Sequence, residues 1–375
     1  MNLIQHFEKV YLDQASVESP VAQRIQNLFP ADKVQIIEKP TWPERAGMMT
    51  PEQFDQSKKT LFVTPFKGQF FKRCPGATQK KALSCCNYHV LNLGAQCNMN
   101  CSYCYLQSYL NSPVLKIYSN LDQALLELKA MADANPEAPF RVGTGEVIDS
   151  LSLDPLTLYS RELISFFRNY PNWTLEFKTK SAEVAQFLDV PHSGNVVVSW
   201  SINPRLIIQG EEHGTASFES RMQAARECVN AGFQIAFHID PMIWHPEWKQ
   251  SYADLALEIA TRFSPQEVNV ISVGALRFQP EQKNMMRERF GMKSLVTSAE
   301  VFISEGGKMR YDLSLRQEMF HFMITQLKAH NPAWRIFLCM ETPESWISSF
   351  ESHPMQIEGL KDLFRPLPKL QEVSV

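Results

Sequence analysis

Three cysteines fall within eight residues of this chain, in the run Cys97-Asn98-Met99-Asn100-Cys101-Ser102-Tyr103-Cys104-Tyr105. No other feature constrains the fold so tightly, because three thiolates on one short loop must close around something. Iron–sulfur clusters are normally held by four cysteines. A loop offering three binds three irons of a cubane and leaves the fourth iron open to a small molecule. Zinc is the competing reading, but structural zinc takes four ligands, usually in two closely spaced pairs. Three unliganded cysteines this close together would be an odd way to build a core. The others, Cys74, Cys85, Cys86, Cys228 and Cys339, are dispersed. With the triad they suit a reducing compartment and metal chemistry better than a disulfide scaffold.

The 375 residues suffice for one large domain or two smaller ones. Basic residues number 37 and acidic residues 40, a net charge of −3 with no long run of either sign. That excludes strong, nonselective polyanion binding over the whole surface, though not a local basic groove. The opening MNLIQHFEKVYLDQ carries acidic residues and no unbroken apolar stretch, unlike a signal peptide. No segment approaches the roughly 20 apolar residues of a membrane-spanning helix. The expectation is a cytoplasmic protein with no membrane partner.

Short β-prone runs alternate with helical patterns from residue 88 onward, the signature of βα units and a parallel sheet. The spacing predicts strands at 88–93, 140–145, 175–180, 196–203, 234–239 and 268–276, with helices at 121–134, 160–168 and 218–231. The third of these stops at Gly232. Six such strands predict an α/β fold, an incomplete (β/α)6 TIM-like barrel. Closed barrels use eight strands and carry their sites at the strands' C-terminal ends. We expect an N-terminal α/β extension over 1–85, the barrel over 86–280, and a closing region over 281–375. A helix at 315–330 and a strand at 335–340 would complete that closure.

Alternation along the strands nominates the cavity lining. Ser199, Ser201 and Asn203 share one face of their strand, a polar stripe that is costly inside a barrel unless it meets ligand or water. Glu176, Lys178 and Lys180 share a face of the preceding strand. Lys180, nearer the rim, is the favoured partner for a ligand carboxylate. The run Gly143-Thr144-Gly145-Glu146 lets backbone amides approach a ligand closely, with Glu146 placed to accept from an ammonium group. His238 and Asp240 alternate onto one face as acid–base partners, ligand contacts or structural groups. Arg277 would meet a phosphate or carboxylate, or else an acidic neighbour. Cys74, Cys85, Cys86 and Cys339 read first as buried thiols, with a second metal site or a hydrogen relay as the alternatives.

The cysteine spacing, and the Tyr after its last member, resemble the radical S-adenosylmethionine superfamily. The 143–146 run resembles that superfamily's Gly-Gly-Glu methionine-binding motif. Over roughly Gln23 to Trp346 the chain is similar to the spore photoproduct lyase family. The most specific segment is Cys97 to Gln107, whose Y-C-Y-L-Q tail is not generic to the superfamily. Supporting stretches are Lys178-Thr-Lys-Ser181, Ser199-Trp-Ser-Ile-Asn203, His245-Pro-Glu-Trp248 and Gly307-Lys-Met-Arg-Tyr311.

The resemblance implies a [4Fe-4S] cluster on Cys97, Cys101 and Cys104, with S-adenosylmethionine on the open iron, cleaved reductively to a 5′-deoxyadenosyl radical. It implies cosubstrate contacts from Lys180 and Ser201, and radical transfer involving Tyr103 and Tyr105. It also implies an electron donor such as flavodoxin or ferredoxin. Gly143, Thr144, Gly145, Glu146, Ser199 and Asp240 complete the expected cofactor-binding set.

Family chemistry is reversal of a methylene-bridged thymine dimer in DNA, in which a cysteine returns hydrogen to the product radical. Here the chain departs from the pattern. The lyases carry that cysteine in an Ala-Cys-Thr-Ser-like run, and Gly143 occupies the matching place. Either a tyrosine or one of Cys85, Cys86 and Cys339 quenches the radical, or the substrate differs. Cys85-Cys86 and Gly-Thr-Gly-Glu look more like the branch of the family found in bacteria that make no spores.

The leading expectation is a radical enzyme acting on a DNA photoproduct or another modified nucleic-acid base. A damaged base must leave the stack to reach a buried radical, so a basic surface should surround the mouth. Arg277, Lys283, Arg287, Arg289, Lys308 and Arg310 are its candidates. Radical chemistry on a peptide or small molecule is the first alternative. The second is a redox sensor, against which Lys180 and the 143–146 run speak, since a sensor needs no cosubstrate pocket.

Overall fold

The computed structural model describes residues 2–40, 42, 47–75, 84, 86–304, 307–367 and 370–371. Its centre is a curled sheet of eight strands: β1 Phe71–Arg73, β2 Tyr88–Leu91, β3 Arg141–Gly143, β4 Thr174–Thr179, β5 Val196–Ser201, β6 Gln234–Met242, β7 Val268–Ala275 and β8 Ile336–Leu338. Their spatial order is their chain order. From β2 to β8 every pairing is parallel, whereas β1 runs antiparallel to β2. All six expected strands are present, and β1 and β8 extend the sheet at its two edges. The 335–340 expectation becomes β8, in register with β7 through Ile271 and Ile336.

Why these strands sit centrally is legible in their burial. Every residue of β5 is buried, Val196, Val198 and Trp200 on one side and Val197, Ser199 and Ser201 on the other. Helices Leu121–Ala134, Tyr159–Phe167, Phe218–Asn230 and Trp248–Arg262 cover the outer face. The third ends as its sequence predicts, with Gly232 at φ +88°, a left-handed position that favours glycine. The β4–β5 connection is built of turns and carries no helix. Helix Leu313–His330 packs on Trp248–Arg262 and completes the closing region.

A second sheet takes strands 34–37, 9–13, 60–64, 115–118 and 94–95, in that order. Its fourth strand, Leu115–Tyr118, lies beyond the cysteine run yet pairs in parallel with Thr60–Thr64. After β2 the chain therefore leaves the barrel and returns to this second sheet, which fastens the N-terminal region to the cysteine loop. Among the described residues no helix is long and apolar enough to cross a membrane.

Inside the hydrophobic layer, His89 of β2 stacks on Phe71 at 5.1 Å and meets Phe140 edge-on at 4.9 Å. Its Nδ1 lies 3.1 Å from the Asn87 carbonyl. Burial pushes its pKa down to about 4, so the imidazole stays neutral at pH values where the unfolded chain takes up a proton. Because the unfolded state then binds more protons, stability should drop as pH falls from about 6.5 toward 4. The expected loss is about 2 kcal/mol between pH 7 and pH 5. Urea unfolding at both pH values should show that drop in the parent chain and a smaller one in His89→Phe.

Candidate active site

Contacts from several distant segments fix the cysteine loop. Asn100–Cys101 pairs antiparallel with Glu212–His213, and the Ser102 amide donates to the Glu211 carbonyl at 2.8 Å. From below, the buried Lys58 ammonium donates to the carbonyls of Cys97 at 2.8 Å and Met99 at 2.6 Å. Gln282 Nε2 donates to the carbonyls of Tyr103 and Cys104. Arg289 holds the loop's flank through Gln107 at 2.6 Å and through Asn100 and Asp55. Backbone groups that would otherwise be unpaired are thus used to fix the curvature of the loop.

Cys97, Cys101 and Cys104 all line one cavity of about 570 Å³. All three are free thiols. Burial, then Asp149, pushes the Cys97 thiol up to about 12, and burial raises Cys101 as well. Such thiols give up their protons to a metal centre rather than to water. Among the described residues no three His, Cys, Asp or Glu side chains converge as around a single ion. A cubane gives each thiolate its own iron, so three all-sulfur donors spaced around one cavity fit a four-iron cluster and not zinc. Lys58 supplies positive charge beside all three.

The strand ends bring most of the expected residues to the same cavity. Gly145 and Glu146 from beyond β3, Lys178 and Lys180 from β4 and just past it, Ser201 from β5, and His238 and Asp240 from β6 line it together. Lys180 Nζ sits 5.6 Å from the Tyr103 ring centroid. The Lys180 amide donates to Asp149 Oδ2 at 2.9 Å, so Asp149 fixes the end of β4. Glu146 pairs with Lys72 at 3.0 Å. Tyr105 donates its hydroxyl to the Glu146 carbonyl, and Tyr103 donates to the Glu212 carboxylate. Both tyrosines line the cavity.

Four expected residues lie elsewhere, among them Asn203, which donates to Glu212 at 3.1 Å and accepts from the Tyr252 hydroxyl. Thr144 points away from this cavity, as strand alternation between Gly143 and Gly145 requires, and lines a small separate pocket of about 30 Å³. Ser199 is fully buried and donates to Glu176 Oε1 at 2.5 Å, beneath the lining. Gly143 does not line the cavity itself. A Cβ there would stand 1.8 Å from the Tyr88 hydroxyl, so Tyr88 fills the space that a side chain at 143 would need.

Asp240 and Arg277 form a two-pronged pair at 2.8 and 2.9 Å. Burial would push the Asp240 carboxyl up, but Arg277 outweighs it and holds the group well below the usual carboxylate range. Of the six candidates for a basic rim, Arg277 and Lys308 line the cavity. Arg289 belongs to the cysteine loop, and Arg310 is tied to Glu341 at 2.8 Å. Cys74, Cys86 and Cys339 also reach the cavity. Cys85 lies outside the described residues.

Sequence reasoning missed Tyr88, Asp149 and Lys58. Arg141, 3.4 Å from Glu176, was likewise unremarked. A lysine 39 residues before Cys97 carries no local mark of its role, because only the folded chain places it under the loop.

The spore photoproduct lyase family model matches residues 6–329. The chain is 26% identical to the spore photoproduct lyase of a Geobacillus species over 287 residues, covering 75% of this chain and 82% of that one. It is 24% identical to the spore photoproduct lyase of Clostridium acetobutylicum over 333 residues, covering 86% and 96%. A solved spore photoproduct lyase variant with bound AdoMet and dinucleoside spore photoproduct superposes with a TM-score of 0.76. It is 24% identical, with 88% of this chain and 98% of that one covered.

Proposed function

Since the chain belongs to the spore photoproduct lyase family, we propose that it is a radical S-adenosylmethionine enzyme acting on a DNA photoproduct. The observation that carries this reading is the arrival of three cysteine thiols at one cavity with Lys180, Ser201 and Glu146. When bound there, a [4Fe-4S] cluster supplies one electron for reductive cleavage of the cosubstrate and so gives the site hydrogen-abstraction chemistry.

The chain's own residues divide the work of holding and shielding. Cys97, Cys101 and Cys104 provide the three protein ligands. Glu146 offers a carboxylate for an ammonium group, and Lys180 an ammonium for a carboxylate, the two ends of an amino-acid moiety. Ser201 adds a hydroxyl close to Lys180 in the cavity wall. Tyr103 and Tyr105 flank Cys104, their hydroxyls tied to Glu212 and to the Glu146 carbonyl, so each ring is held in the cavity wall. Arg277 and Lys308 place cationic groups where a phosphodiester would enter. A flavodoxin or ferredoxin is the proposed electron source.

The test is anaerobic. The chain is reconstituted with iron and sulfide, reduced with dithionite, and given S-adenosylmethionine with and without the dinucleoside thymine photoproduct. Release of 5′-deoxyadenosine with conversion of the photoproduct to thymine is the expected result. Absence of deoxyadenosine would sink the reading, and deoxyadenosine without thymine would move the substrate elsewhere.

A further inference from the structure

Strand β2 sends a residue into the cavity that the cofactor-binding reading leaves unused. Tyr88 lines it, opposite Arg141 in the β2–β3 register, with Gly143 two pairs further along. The fit between tyrosine and glycine is close. A Cβ at 143 would meet the Tyr88 hydroxyl at 1.8 Å and Cζ at 2.4 Å. No side chain at 143 is compatible with the phenol where it stands.

Glu176 lines the same cavity, and a buried polar line leads on from it. Glu176 Oε1 lies 2.8 Å from His238 Nε2, and His238 Nδ1 lies 2.5 Å from Ser272 Oγ. The Arg141 guanidinium sits 5.4 Å from the Tyr88 ring centroid and 3.4 Å from the other Glu176 oxygen. Carboxylate, imidazole and hydroxyl are thus in sequence, with Arg141 between the phenol ring and the carboxylate, and Glu176, His238 and Ser272 are all buried. Structure alone does not need such a line in a barrel interior, where apolar packing is cheaper.

We propose that Tyr88 is the hydrogen-atom donor that quenches the substrate radical in this cavity, with Glu176 and His238 as the proton line that restores it. The inference rests on the reading above, that radical chemistry runs here. In the donating step a carbon radical on the substrate takes hydrogen from the Tyr88 hydroxyl. One C–H bond forms, one O–H bond breaks, and a neutral phenoxyl remains. Restoring the phenol takes one electron, from a one-electron carrier of the flavodoxin or ferredoxin class, and one proton, which the Glu176–His238 line delivers to the phenolic oxygen.

The surroundings suit that role. Burial first, then Glu176, raises the Tyr88 pKa, so the transferable hydrogen is in place at neutral pH. A cation over the ring opposes loss of an electron alone, which favours departure of electron and proton together. Tyr103 and Tyr105 are ligand-loop residues with their hydroxyls committed to Glu212 and to the Glu146 carbonyl. The Cys339 thiol is 3.8 Å from an Arg277 nitrogen, at the rim pair with Asp240.

The experiment uses reconstituted holoenzyme, the dinucleoside thymine photoproduct and D2O. The parent should give thymine carrying solvent deuterium, and freeze-quenched samples should show a phenoxyl radical by electron paramagnetic resonance. Tyr88→Phe keeps the ring and removes only the O–H. With iron content and melting temperature matching the parent, it should lose the phenoxyl signal. Thymine formed per deoxyadenosine should fall by roughly tenfold or more. Gly143→Cys alone should lower the melting temperature. Combined with Tyr88→Ala it should recover stability and thymine formation without the phenoxyl signal, because a thiol then stands in the vacated space. Unchanged thymine yield and radical signal in Tyr88→Phe would overturn the proposal, as would loss of the yield in Cys339→Ala or Cys86→Ala with Tyr88→Phe unaffected. A parent chain releasing no deoxyadenosine would instead overturn the functional reading, and this inference with it.

Discussion

Replacing Cys101 with alanine should leave a folded protein that cannot hold a four-iron cluster and releases deoxyadenosine only at the level of a protein-free control. Cys101 is the most enclosed of the three thiols, with 8% of its surface exposed. Its backbone is fixed by pairing with Glu212, which does not involve the side chain. Removing one sulfur therefore costs the apoprotein about 1 kcal/mol. The same change takes away a third of the protein's ligands to the cluster. Iron and acid-labile sulfide per chain, measured after reconstitution, should fall to background, while thermal melting of the two apoproteins stays nearly superimposable. Cys86→Ala serves as the control, since Cys86 reaches the cavity from a different segment. A Cys101→Ala chain with full cluster content would remove the foundation of the functional reading.

Much of this site could be read from the chain because two of its organising rules are local. The cysteine spacing lies within one loop, and strand alternation needs only a run of neighbours. Together they put Glu176, Lys178 and Lys180, and then His238 and Asp240, on the inward face, where the structure has them. The same rule applied to the 143–146 run would have turned Thr144 outward. Treating that run as one motif hid the alternation within it. Ser199 shows a different limit. Its face follows from the pattern, but its partner Glu176 lies 23 residues away on the neighbouring strand, and only the register of β4 against β5 brings them together. Strands β1 and β8 have three residues each, too few for a period to show. Lys58 and Tyr88 owe their roles to contacts between segments that the sequence separates.

Arg221 is the residue whose loss should cost the fold most, because it is buried with an acid that has no exit to water. Arg221 and Glu212 are both fully enclosed, with Nη1 2.7 Å from Oε2. The guanidinium also donates to the carbonyls of Ser201 at 2.8 Å and Ala216 at 3.0 Å, and to Thr215 Oγ1 at 2.7 Å. Glu212 in turn accepts from Tyr103 and Asn203, and its strand pairs with Cys101. Burial would push the Glu212 carboxyl up, but Arg221 and then Lys180 hold it below its ordinary value of 4.5. Arg221→Met keeps the side-chain volume and strands the carboxylate, a change expected to cost about 3–5 kcal/mol at neutral pH. Adding Glu212→Gln should return part of that loss, because the carboxylate stranded by the loss of Arg221 is then gone. In the parent, a carboxyl with a lowered folded pKa adds stability above the ordinary carboxylate range and loses it as pH falls. In Arg221→Met the sign reverses, since the folded state now prefers the protonated acid. The stability gap between the two chains should therefore be widest at pH 7 and narrow toward pH 4. Urea unfolding across that range measures it, and a gap independent of pH would show that lost packing, not the stranded charge, is what the fold feels.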